Sequence, residues 1–83
     1  MPGCKTLRVH YYAAFREAAG RSEEEVTSSA TTAAELYDEM TLLHGFSFDR
    51  SILRAVVNNV IVPWTAPVRD GDVVVFLAPF AGG

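Results

Sequence analysis

The last five residues, Pro79-Phe80-Ala81-Gly82-Gly83, are where residue types and spacing suit chemistry. Two residues without a Cβ enter a channel too narrow for any side chain and let another backbone approach closely. A Gly-Gly pair at one given place arises by chance in roughly one chain in two hundred. Its terminal carboxylate is inert until activated. Adenylation turns it into an electrophile with a good leaving group, and a sulfur nucleophile then yields a thioester or a thiocarboxylate. At ~3.3 Å per residue, Pro79 to Gly83 reaches about 15 Å beyond a fold. Apolar Pro79 and Phe80 suit docking at the base of such a tail, and Ala81 keeps it slim. The expected job is delivery of one activated carbonyl carbon, with or without sulfur, into another protein.

The other reactive side chains form no catalytic set. Cys4 has no basic cluster beside it in sequence to lower its pKa. His10 and His44 lack metal-ligand spacing, so no metal site is expected. His44 stands in the last turn of a helical pattern, where positive charge suits the dipole. Glu23-Glu24-Glu25 reads as a solvated strand edge that resists edge-to-edge association. Asp70-Gly71-Asp72 lacks the further ligands of a calcium loop. There is no Gly-rich phosphate loop. The chain is expected to bind no cofactor of its own and not to be an enzyme alone.

Eighty-three residues make one domain, 1–83, too small to enclose a large substrate cavity beside its own core, which directs attention to a partner protein. Hydrophobic residues are 49% and charged residues 20% of the chain. Seven Lys+Arg against ten Asp+Glu give a net charge of −3, and no basic stripe is present. Nucleic acid and anionic membrane surfaces are therefore not expected partners. Apolar runs fall short of a membrane span, no secretory leader is evident, and a single cysteine excludes an internal disulfide. The expected location is cytoplasmic.

The elements that must position the tail follow from periodicity. Thr6 to Tyr12 alternates, with Leu7, Val9 and Tyr11 on one face, and predicts a strand. Ala13 to Ala19 predicts a short helix closed by Gly20. Ser22 to Ser28 predicts an edge strand. Thr32 and Glu35 have capping-box spacing, and Leu36, Tyr37, Met40 and Leu43 make one apolar stripe, so a helix is expected to His44. Leu53 to Val57 and Val60 to Val62 predict a hairpin across Asn58-Asn59, residues that tolerate the positive φ of a type I′ turn. Pro63 to Pro67 predicts an irregular crossing. Asp72 to Ala78 predicts a last strand that is apolar on both faces and hence central. The order fits an α+β fold, the β-grasp (ubiquitin-like) arrangement. It has a mixed sheet of four to five strands on one main helix, the first and last strands being parallel neighbours.

Val9 to Glu17 (VHYYAAFRE) resembles the sulfur-carrier family of MoaD and ThiS type. So do Val56-Val57-Asn58, Pro67 to Val74 (PVRDGDVV) and the closing Phe76 to Gly83 (FLAPFAGG). Within that family the chain is most similar to the small subunits of molybdopterin synthase. The resemblance implies that an E1-like enzyme uses ATP to adenylate Gly83 and that a sulfurtransferase supplies the sulfur of a Gly83 thiocarboxylate. It also implies that the tail enters a large synthase subunit, in a heterotetramer, and donates sulfur to cyclic pyranopterin monophosphate for the molybdenum cofactor. Gly83 would carry the reactive group and Gly82 would give access. Tyr12, Arg16, Ile61 and Leu77 would line the partner surface, with Pro79, Phe80 and Ala81 at the tail. Members often carry an aromatic where Leu77 stands and Pro-Pro where Ala78-Pro79 stands. Carriers for thiazole, cysteine or tRNA thiolation, and a ubiquitin-like modifier joined to lysines through Gly83, share the activated tail. They form the alternative reading.

Overall fold

The computed structural model describes residues 4–78. The tail residues Pro79, Phe80, Ala81, Gly82 and Gly83 lie outside the described residues. Strand β1 (Lys5–His10) leads to helix α1 (Ala13–Ala19), strand β2 (Glu23–Ser28) and helix α2 (Ala33–His44). A 3-10 turn (Arg50–Ile52) precedes β3 (Arg54–Val57), β4 (Val60–Val62) and β5 (Val73–Leu77). The sheet runs β2-β1-β5-β3-β4, with β1 and β5 parallel at its centre and the other pairs antiparallel. This is the expected β-grasp arrangement. Among the described residues no helix is long and apolar enough to cross a membrane.

Local chemistry explains the elements. Gly20 and Gly45 close the two helices at φ 77° and 71°, the left-handed conformation that lets a backbone amide satisfy a last-turn carbonyl. Thr32 Oγ1 accepts from the amide of Glu35 at 3.2 Å, while the Glu35 carboxylate reaches back to the amide of Thr31 at 2.8 Å. The crossing between β4 and β5 completes this cap. The amides of Ala33 and Ala34 donate to the carbonyls of Ala66 and Trp64, each at 3.0 Å. The first four amides of α2 are thereby satisfied, since Leu36 donates to Thr32. Asn58 and Asn59, at φ 50° and 69°, form the tight hairpin turn. Asp70 and Asp72 accept from the amides of Thr6 and Arg69, so both carboxylates are used in shaping the turn before β5.

The core lies between the sheet and the helices. Leu7, Val9, Ala55, Val74 and Phe76 from the sheet meet Ala33, Leu36, Tyr37 and Met40 from α2. Phe15 of α1 joins them, its ring 5.0 Å from that of Phe46 and 4.8 Å from that of Phe48. Tyr37 and Phe76 stand edge to face at 5.0 Å.

Three expectations are corrected. Leu43 is not in the apolar stripe but 61% exposed, because the next residue, His44, occupies the inward position of the last turn. Glu24 is not a solvated edge residue. Strand alternation turns it to the inner face beside Val26 and Ser28. β1 stops at His10, since Tyr12 becomes the N-cap of α1 and Ala13, at φ 50°, turns the chain out of the sheet. Phe15→Ala is expected to destabilise the fold by about 3–5 kcal/mol and Thr32→Ala by about 1 kcal/mol. Urea unfolding followed by circular dichroism measures both.

Candidate functional site, an open sheet face

Both helices contribute to the core on one side of the sheet. The side chains that alternate away from it form an outer face, and the register places them in rows. Glu23, His10, Val75, Val56 and Ile61 stand side by side across the five strands. Leu77 and Arg54 form the next row toward the end of β5. Val73, Val75 and Leu77 are half-buried here, whereas Val74 and Phe76 face the core and are buried. β5 is thus apolar on both faces, as expected of a central strand, and α2 covers only one of them.

Of the sequence-derived docking residues, Ile61 and Leu77 lie on this face, Tyr12 follows β1, and Arg16 belongs to α1. Ile61 is 65% exposed on the edge strand β4, and Leu77 ends β5 one residue before Ala78. Tyr12, 54% exposed, follows β1 at the same end of the sheet. Arg16 lies one helical turn further on and is exposed, its amide donating to the Tyr12 carbonyl at 3.4 Å. The reactive positions Gly82 and Gly83, with Pro79, Phe80 and Ala81, lie outside the described residues. Sequence reasoning did not single out Val56, Val75 and Arg54. The first two were legible only as members of apolar runs. Arg54 carried no signal until its pairing with Leu77 was known.

Electrostatics divides the face in two. Toward β2, Arg8 is paired with Glu23 at 2.8 Å and Glu25 at 3.4 Å, and His10 Nε2 lies 3.8 Å from Glu23. Toward β4, the row is apolar and bears no ion pair among the described residues. The face can therefore dock an apolar surface at its β4 side while its β2 side stays solvated. Among the described residues no group of side chains suits a metal ion.

Behind the β2 edge, on the inner face, a polar cluster ties three elements together. Tyr11 Oη donates to Glu24 Oε2 at 2.5 Å, and His44 Nε2 contacts the same carboxylate, with Arg21 at 3.8 Å from its other oxygen. Burial raises the Glu24 carboxyl, but the Tyr11 and His44 hydrogen bonds and the nearby His44 and Arg21 outweigh it. The net result lies below the usual 4.5. Burial, then the Glu24 hydrogen bond and charge, push the Tyr11 phenol far upward, so it stays a donor.

This five-stranded sheet clasping one main helix, with a half-apolar open face at the root of the C-terminal segment, defines a ubiquitin-like β-grasp domain. The ThiS family matches residues 9–83, and the chain belongs to that family. It is 30% identical over 80 residues to the molybdopterin synthase sulfur carrier subunit of Escherichia coli (strain K12), covering 93% of this chain and 99% of that one. A putative molybdopterin converting factor, subunit 1, from Pyrococcus furiosus superposes with a TM-score of 0.75 at 28% identity. That match covers 90% of this chain and 98% of the other. Helicobacter pylori supplies a fold match from a complex of subunits 1 and 2 of its molybdopterin-converting factor. It has a TM-score of 0.62 and 22% identity, over 94% and 99% of the two chains.

Because the folded protein holds the Glu24 carboxyl below its ordinary value, its stabilisation is complete above that value. It is lost as pH falls through the folded value. Thermal midpoints of the full chain are expected to fall from about pH 6 to about pH 3, and Glu24→Gln is expected to flatten that dependence. Equal pH slopes for the two proteins would contradict the assignment.

Proposed function

We propose that the chain is a sulfur carrier whose C-terminal glycine is the cargo site, acting as the small subunit of a molybdopterin synthase. The observation that carries this reading is structural. A central strand, apolar on its open face, runs directly into a segment ending in Gly82-Gly83. A candidate docking surface and the chain leading to the Gly82-Gly83 end then belong to neighbouring stretches of sequence. The relative in Escherichia coli, a sulfur carrier subunit matched over nearly its whole length, supports the same reading.

The chemistry is that of an activated carboxylate. An E1-like enzyme transfers the adenylyl group of ATP to the Gly83 carboxylate and releases pyrophosphate. The persulfide sulfur of a sulfurtransferase displaces AMP to give an acyl disulfide, and a thiol cleaves its S–S bond, forming a new disulfide and leaving Gly83 as a thiocarboxylate. Docking through Tyr12, Arg16, Ile61 and Leu77 then sets the tail in the active site of a large subunit, where the sulfur passes to cyclic pyranopterin monophosphate. The complex of two subunits found for the Helicobacter pylori factor is the kind of assembly this requires. This chain contributes position and reach, and its partners contribute the catalytic groups.

Removal of Gly82 and Gly83 is expected to abolish sulfur transfer in a reconstituted assay while leaving the unfolding midpoint unchanged. Mass spectrometry of the wild-type chain, after incubation with activating enzyme, ATP and a sulfur donor, should show one oxygen-to-sulfur exchange at Gly83. Sulfur transfer by the truncated chain would overturn the carrier reading. Lysine-linked conjugates in place of the thiocarboxylate would instead support a ubiquitin-like modifier.

A further inference from the structure

The open face contains two arginines whose situations differ. Arg8 has its own anions, Glu23 and Glu25 on the neighbouring strand β2. Arg54 opens β3 directly opposite Leu77 on β5. Cross-strand partners set their Cβ atoms about 5 Å apart on one face, so the guanidinium stem stands beside the leucine. Among the described residues, Arg54 Nη1 donates only to the carbonyl of its own neighbour, Leu53, at 3.0 Å. Among the described residues it forms no ion pair.

A protein that covers Leu77 must also cover Arg54, and a guanidinium stripped of water without an anion is strongly disfavoured. Arg8 would meet the same surface already neutralised. We propose that Arg54 is a specificity-determining docking residue, and that the partner covering the β5 end of this face presents an Asp or Glu carboxylate opposite it, beside an apolar pad. The inference rests on the reading of the outer face as the docking surface of a sulfur carrier. It adds the chemistry by which the right partner is told from an apolar surface of the same shape. Such a carboxylate is matched to a planar, bidentate donor, and a surface without it leaves the arginine unpaired.

The test uses the full-length chain and the purified large subunit of molybdopterin synthase from the same organism, with affinity measured by calorimetry. Arg54→Glu is expected to weaken binding by roughly 30-fold or more, the loss typical of a broken interfacial charge pair. Arg69→Glu makes the same change in net charge in the turn before β5 and is expected to stay within about threefold, as a change in long-range steering alone would. Reversing the partner's carboxylate to Arg should restore affinity for Arg54→Glu. If Ile61→Asp destroys binding while Arg54→Glu behaves like Arg69→Glu, the docking face stands and the role of Arg54 is overturned. If the wild-type chain does not bind the large subunit, both readings fall. Melting curves of each variant exclude unfolding, and Arg54→Gln replaces Arg54→Glu where the latter does not fold.

Discussion

A sheet has two faces, and this chain has helices enough to cover one. Everything else in the structure depends on that constraint. Parallel pairing of β1 with β5 puts the most apolar strand in the middle, where Val74 and Phe76 bury against α2. The alternate residues Val73, Val75 and Leu77 then have to look the other way. In a larger α/β protein a second helical layer would close over them. Here they stay half-open, and the fold leaves an apolar strip at the surface.

The same economy governs the two sheet edges. β2 carries three glutamates in its first half, and the outward pair, Glu23 and Glu25, holds Arg8, which disfavours pairing with a foreign strand. Its inward glutamate, Glu24, is used differently. It accepts from Tyr11 and contacts His44, so the edge strand is joined to the centre of the sheet and to the end of α2. A half-buried carboxylate is tolerated because Tyr11, His44 and Arg21 stand close to it. The opposite edge, β4, carries no charge and exposes Val60 and Ile61. The two edges therefore differ in character, charged at β2 and apolar at β4, with β5 between them.

Much of this was legible in one dimension. The alternation of Leu7 and Val9, the capping pair Thr32 and Glu35, the Asn58-Asn59 turn and the doubly apolar last strand each rest on local rules. Local rules act within a few residues, so the elements, their order and the β-grasp arrangement followed from them. Tyr12 and Ile61 were reached through the family resemblance, and both are exposed. Glu24 was misread because three consecutive glutamates look solvated, and only its distant partners, Tyr11 and His44, make an inward acid tolerable. Leu43 is exposed because His44 takes the inward position of the last turn, and its inward partner Glu24 is distant in sequence.

The sequence by itself determined the fold class, the central position of the last strand and the candidate chemistry of its Gly-Gly end. Periodicity, turn residues and composition are properties of neighbouring residues. Tertiary structure alone decided that His10, Val75, Val56 and Ile61 share one row and that Arg54 stands beside Leu77. It also decided that Arg8 is neutralised while Arg54 forms no ion pair among the described residues. Those facts depend on register between strands whose paired residues are as much as 65 positions apart in the chain (Arg8 against Val75, for instance, would differ from Arg8 against the observed Val73 by a whole row). Register is set by the packing of the whole core, which no short stretch of sequence contains.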